Sequence, residues 1–202
     1  FVGESLPFAA FGFANLRDGP AASRPAGTLK ALQCPACGGA ITLHDKAVQS
    51  VACPSCLTVL EPANESLRIL AKAAAATRIK PLLALGSTGR FLGKDWTVIG
   101  FQERAITAEG IAYPWQEYLL HHPSEGFRWL VEAEGHWNWV SPVAAPPRYS
   151  VGQPAASWNG EQYRRYSAGS AVTRYVIGEF TWKVGVGETW ETIDFIAPPK
   201  ML

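Results

Sequence analysis

Four cysteines constrain this chain more than any other feature. Cys34-Pro-Ala-Cys37 and Cys53-Pro-Ser-Cys56 are one C-P-x-C unit written twice, with 15 residues between the two copies. A two-residue gap lets a tight turn aim both of its sulfurs at one centre, and two such turns supply four donors. Pro35 and Pro54 preset the turns, while Gly38 and Gly39 let backbone amides approach the thiolates. The spacing predicts one structural zinc ion held by Cys34, Cys37, Cys53 and Cys56. With sulfur in all four positions, such an ion braces a fold and has no open position to activate water. Two disulfides, or iron in a rubredoxin-like site, would use the same residues. Paired C-P-x-C units are what reducing compartments keep for metal, and nothing else in the chain points to electron transfer. His44, between the two units, reads as a solvated turn residue and not as a ligand.

The cysteines also divide the chain. All four precede residue 57, whereas all 8 tryptophans follow residue 95. Residues 1–31 read as a leader and linker, because 17–31 concentrate Gly, Pro, Ala and Ser. The first residue, Phe1, and the final Pro-Pro-Lys-Met-Leu suggest a piece of a longer protein. Residues 32–62 form the ribbon, with a hairpin between the knuckles built on Ile41, Leu43, Val48 and Val51 around a turn at Asp45 and Lys46. Residues 63–81 read as a connecting helix, with Asn64 as N-cap, Glu65 at the positive end, an alanine run, and Pro81 as its stop.

Residues 82–202 have the texture of a β-rich domain. Runs rich in Val, Ile, Thr, Tyr and Trp predict strands at 88–92, 95–107, 112–121, 127–134, 137–142, 161–168, 171–184 and 191–196. Residues 144–157 contain Pro146, Pro147 and Pro154 and read as a crossing loop. The fold class is therefore mainly β: a small zinc ribbon plus a β-barrel-like or sandwich domain, with one short connecting helix. Residues 91–100 resemble 158–167, and 128–137 resemble 174–182, which suggests two related meanders. Hydrophobic residues make up 48% of the chain, enough for a packed core, and no segment reaches the length of a membrane helix.

The familiar catalytic signatures are missing: no nucleophile elbow, P-loop, dinucleotide fingerprint or H-E-x-x-H occurs. His121 and His122, near Glu117 and Glu125, are adjacent on a strand and so face opposite ways. Glu179, among apolar neighbours, needs a partner if it is buried, and Arg128 or Arg174 would supply a structural ion pair. Trp137 and Trp139 share one strand face and are the candidates for a binding surface, although core packing is the default for such residues.

Three segments together resemble the bacterial domain of unknown function 4178 from about Leu85 to Leu202. They are LGSTGRFLGKDWTVIGF, PWQEYLLHHPSEGFRWLVEAEGHW and RYVIGEFTWKVGVGETWETIDFIAPPKML. The resemblance implies a β-rich bacterial domain, cytoplasmic or on the cytoplasmic face of a membrane, with a link to envelope stress. It carries over no catalytic residue. The leading functional reading is a non-enzymatic, zinc-containing module that binds another protein. Nucleic-acid binding through the ribbon is the first alternative, although a net charge of +1 and a ribbon with Lys46 as its basic residue argue against it. A small-molecule or sugar pocket lined by Trp137, Trp139 and Glu179 is the second.

Overall fold

The computed structural model describes residues 2–13, 30–63, 66–71 and 78–202. The chain begins with β1 (Val2–Leu6) and a 3-10 turn (Phe8–Phe11). The ribbon strands follow: β2 (Lys30–Gln33), β3 (Ala40–Leu43), β4 (Ser50–Ala52), β5 (Val59–Ala63) and β6 (Ser66–Ala71). Next come β7 (Thr88–Phe91), β8 (Lys94–Ala108), β9 (Ile111–His122), β10 (Gly126–Ala133), β11 (His136–Ser141) and β12 (Ala155–Trp158). The last are β13 (Glu161–Phe180), β14 (Thr189–Ala197) and β15 (Lys200–Met201).

Eight strands close a barrel in the order β13-β14-β15-β1-β11-β10-β9-β8 and back to β13. β7 is added to β8 and β12 to β13, and β4, β5 and β6 continue from β13. One 13-stranded sheet thus runs through both the barrel and the cysteine-bearing ribbon. β2 and β3 form a separate hairpin.

Local sequence sets the hairpins. Among the described residues, four connections are two-residue turns in which both residues have positive φ: Leu92 and Gly93, Glu109 and Gly110, Glu134 and Gly135, Asn159 and Gly160. This is the turn whose twist matches that of paired strands, and glycine takes its second position without steric cost. Two of these turns, β7–β8 and β12–β13, are the matched segments 91–100 and 158–167, so that similarity corresponds to one hairpin used twice. The other similarity does not correspond: 128–137 is a hairpin, whereas 174–180 lies within the single strand β13.

The barrel closes where Gly100 of β8 faces Gly178 of β13. A Cβ on Gly178, whose φ is 82°, would collide with the Ile99 carbonyl oxygen, and one on Gly100 would collide with that of Glu179. Two glycines let the backbones approach where a side chain would hold them apart.

Alternating side chains divide between two clusters. Phe101, Tyr118, Leu120, Leu130, Trp137, Trp139, Tyr175 and Ile177 form the larger, joined by Phe11 and Leu83. Val176 and Phe180 belong to a second cluster, with Trp129 and Trp182 packed against it. The ribbon reaches both, since Leu57 joins the first and Ala52 and Val59 join the second.

Several expectations require correction. Residues 66–71 are the strand β6 paired with β5, not a helix. Leu67 packs on the ribbon core, and the free edge of β5 offers the backbone hydrogen bonds that helical propensity alone would have satisfied internally. Asn64, Glu65 and residues 72–77 lie outside the described residues. The start of the expected leader is structural, because β1 pairs with β11 and β15. Residues 155–158 of the expected loop form β12. The two strands expected at 161–168 and 171–184 are one strand ending at Phe180, with irregularities after Arg165 and Thr173.

Candidate metal centre and the junction it serves

The two cysteine units fold alike. In the first, the Gly38 N–H donates to the Cys34 carbonyl at 2.8 Å and the Cys34 N–H to the Gly39 carbonyl at 2.8 Å. In the second, the Leu57 N–H donates to the Cys53 carbonyl at 2.8 Å and the Cys53 N–H to the Thr58 carbonyl at 3.0 Å. The residue after each second cysteine is left-handed: Gly38 has φ 74° and Leu57 φ 63°. Glycine adopts this conformation freely, whereas leucine is held there against its preference.

These turns bring the four sulfurs together, all within 4.8 Å of one another. Cys34 Sγ lies 3.7 Å from Cys56 Sγ, and Cys37 Sγ lies 3.8 Å from Cys53 Sγ. Tetrahedral bonds of about 2.3 Å place sulfurs about 3.8 Å apart, whereas a disulfide would bring them to about 2.0 Å. All four are free cysteines. The Gly39 N–H points at Cys37 Sγ at 3.4 Å, and Thr58 Oγ1 lies 3.3 Å from Cys56 Sγ. As thiols, Cys53 and Cys56 do not ionise alike. Burial pushes Cys53 up to about 12, while Cys56, against the upward push of burial, is brought down to about 6 by its hydrogen bonds with Thr58. The donor set and its spacing fit a metal ion with four thiolate ligands. Arg78 donates to the Pro54 and Ser55 carbonyls and fastens the second turn.

Beside this cluster the ribbon meets the barrel. The His44 N–H donates to Glu179 Oε2 at 2.8 Å, and its ring Nδ1 lies 2.5 Å from Oε1. The neighbouring Asp45 places Oδ2 3.3 Å from His121 Nε2, and the two imidazoles lie 6.4 Å apart. Burial pushes the His121 ring below the usual histidine value, against the upward pull of Asp45. Ser50, fully buried on β4, donates to the Trp182 carbonyl at 2.6 Å and accepts from the Val184 N–H at 3.1 Å.

Residues 84–202 match the family described as Domain of unknown function (DUF4178). The chain belongs to that family. The DUF4178 match takes in β7 through β15, while β1 and the four cysteines lie ahead of it. No curated protein and no solved structure matches the chain. Among the described residues, no helix is long and apolar enough to cross a membrane.

Within the DUF4178 region the other predicted site residues disperse. Glu179 is buried, at 2% exposure, but its partner is His44 and not an arginine. Arg174 pairs instead with Glu103 at 3.6 Å. Arg128 lies over the Trp96 ring at 5.6 Å and donates to the Phe127 and Glu125 carbonyls. Trp137 and Trp139 are core residues, 7% and 9% exposed, against Phe8, Tyr118, Phe91 and Trp96. Trp137 lines a cavity with Leu6, Phe8 and His136 that does not include Glu179, whose carboxylate is engaged by His44 at the ribbon. His122 packs on Trp96 while His121 meets Asp45, so the pair is split as strand alternation requires.

His44 is thus a junction residue rather than a solvated turn. The pairing of β4 with β13 carries its turn over the barrel, a contact spanning 135 residues that local pattern does not register. Sequence reasoning also missed Leu57 and Arg78. A leucine where the first unit has glycine was the available signal for Leu57.

Proposed function

We propose that the chain is a non-enzymatic protein-interaction module in which one zinc ion, held by Cys34, Cys37, Cys53 and Cys56, braces the ribbon against a DUF4178 barrel. Four sulfurs within 4.8 Å of one another, two pairs of them at 3.7 and 3.8 Å, support zinc in a closed, structural role. The partner-binding reading rests on one surface observation. Ile111 and Tyr113 of β9 and Trp190 of β14 are large, exposed and on the same face of the sheet. Tyr113 is paired with Ile106, whose side chain lies over Gly169 of β13, and Trp190 is paired with Ala171 two residues further along. The result is an apolar strip crossing four strands, the kind of patch that marks a contact with another macromolecule. Cytoplasmic work, and the envelope-stress link that the family resemblance implies, belong to the same proposal.

Site-specific photocrosslinking in cells tests it, with the crosslinker at Tyr113 or Trp190 and a control at the exposed Val151. The proposal expects one discrete protein adduct from both strip positions, absent from the control and lost on Ile111→Glu. The same adducts from all three positions, or adducts to nucleic acid, contradict it.

A further inference from the structure

We propose that occupancy of the four-cysteine site controls whether the ribbon stays docked: metal loss releases β4 from its pairing with β13, and β5 with it, while the barrel remains closed. This rests on the metal reading above and concerns what the metal does to the barrel. The ribbon's own core is small, with Ile41, Val48, Val51 and Leu60 around two of the ligands, Cys34 and Cys53. A core of this size, and the two-stranded β2–β3 hairpin beside it, does not hold a shape without a crosslink.

The contacts that dock the ribbon hang from the parts the metal shapes. Leu57 follows Cys56 directly and reaches the barrel's main cluster only because the second turn holds it at φ 63°. Its counterpart Gly38 has the same turn and carries no side chain to anchor. Released from the turn, Leu57 relaxes to ordinary backbone and its side chain leaves the barrel. His44 and Asp45 lie in the link between β3 and β4, so their contacts with Glu179 and His121 need both cysteine units in register.

The barrel has its own means of staying closed. β8 and β13 pair through 100–104 and 173–178, and Leu57 is the one ribbon residue in the main buried cluster among the described residues. Release would uncover the β13 edge at 178–180 together with Val176, Phe180, Trp129 and Trp182. An open strand edge beside apolar side chains is a template for adding a strand from another chain.

Hydrogen exchange on the full chain, with and without EDTA, tests this. Chelation is expected to raise exchange at 50–52 and 178–180 at least tenfold while β10 and β11 keep their protection. Leu57→Gly, which suits the turn better, is expected to keep one metal per chain and still loosen 178–180. If chelation loosens only the cysteine turns and 178–180 stays protected, the coupling is overturned and the metal reading stands. If β10 and β11 open together with the ribbon, the two form one unit and the release is overturned. A Leu57→Gly chain that keeps 178–180 protected overturns Leu57 as the anchor that docks the ribbon. A chain that never carries metal overturns the metal reading and this inference together.

Discussion

Both carboxylate oxygens of Glu179 are engaged by His44, one by its backbone N–H and the other by its ring. Removing the ring leaves a buried carboxylate with half of its partners. We expect His44→Ala to cost about 3 kcal/mol, and Glu179→Gln, which keeps an acceptor oxygen and removes the charge, about 1 kcal/mol. Urea unfolding of both variants and of the double variant measures the coupling. Independent, additive losses below about 0.5 kcal/mol each would show that the contact is incidental.

The glycines at the barrel seam differ sharply from those in the turns. Gly178→Ala drives a methyl group into the Ile99 carbonyl at a left-handed position, whereas Gly135→Ala places one in open space at φ 83°. The first should cost about 3 kcal/mol or more and the second about 1 kcal/mol, as read from thermal or urea midpoints. Equal costs would mean that the seam is not closed by glycine.

His121 makes the junction acid-sensitive. Its folded value lies below that of the unfolded chain, so acid protonates the unfolded state first. The resulting stability is complete above the unfolded value of about 6.5 and is lost as pH falls through it toward the lower folded value. Thermal midpoints recorded between pH 7.5 and 5.5 should therefore decline, and His121→Gln should flatten part of that slope. A variant with the parent's full slope places the sensitivity elsewhere.

Trp139 supplies a check on the core. Its ring meets Phe91 at 4.6 Å and Trp96 at 5.0 Å between centroids, so Trp139→Ala should destabilise the chain by about 3–5 kcal/mol. A loss under 1 kcal/mol in urea unfolding would return Trp139 to the surface.

What could be read in advance follows from range. The cysteine units, the two-residue turns and most strands are local patterns, and Cys34, Cys37, Cys53 and Cys56 converge as their spacing implies. The barrel-like or sandwich architecture is legible in the strand texture of 82–202, and a closed barrel is what forms; which strands close it is not legible, because closure depends on β1 joining β15 to β11 and on β13 meeting β8, pairings between distant segments. β6 reads as helical because Leu67, Ile69 and Leu70 suit both periodicities, and only the waiting edge of β5 decides between them. Arg128 and Arg174 are the donors that a buried Glu179 among apolar neighbours calls for in the sequence. The actual partner came from the ribbon, where sequence distance concealed it.

The central claim is a four-thiolate zinc site, and native mass spectrometry combined with elemental analysis of the purified full chain tests it most directly. One zinc per chain, no disulfide, and loss of that zinc on any one of Cys34→Ser, Cys37→Ser, Cys53→Ser or Cys56→Ser are the expected results. A metal-free chain whose four cysteines are paired as two disulfides would contradict it.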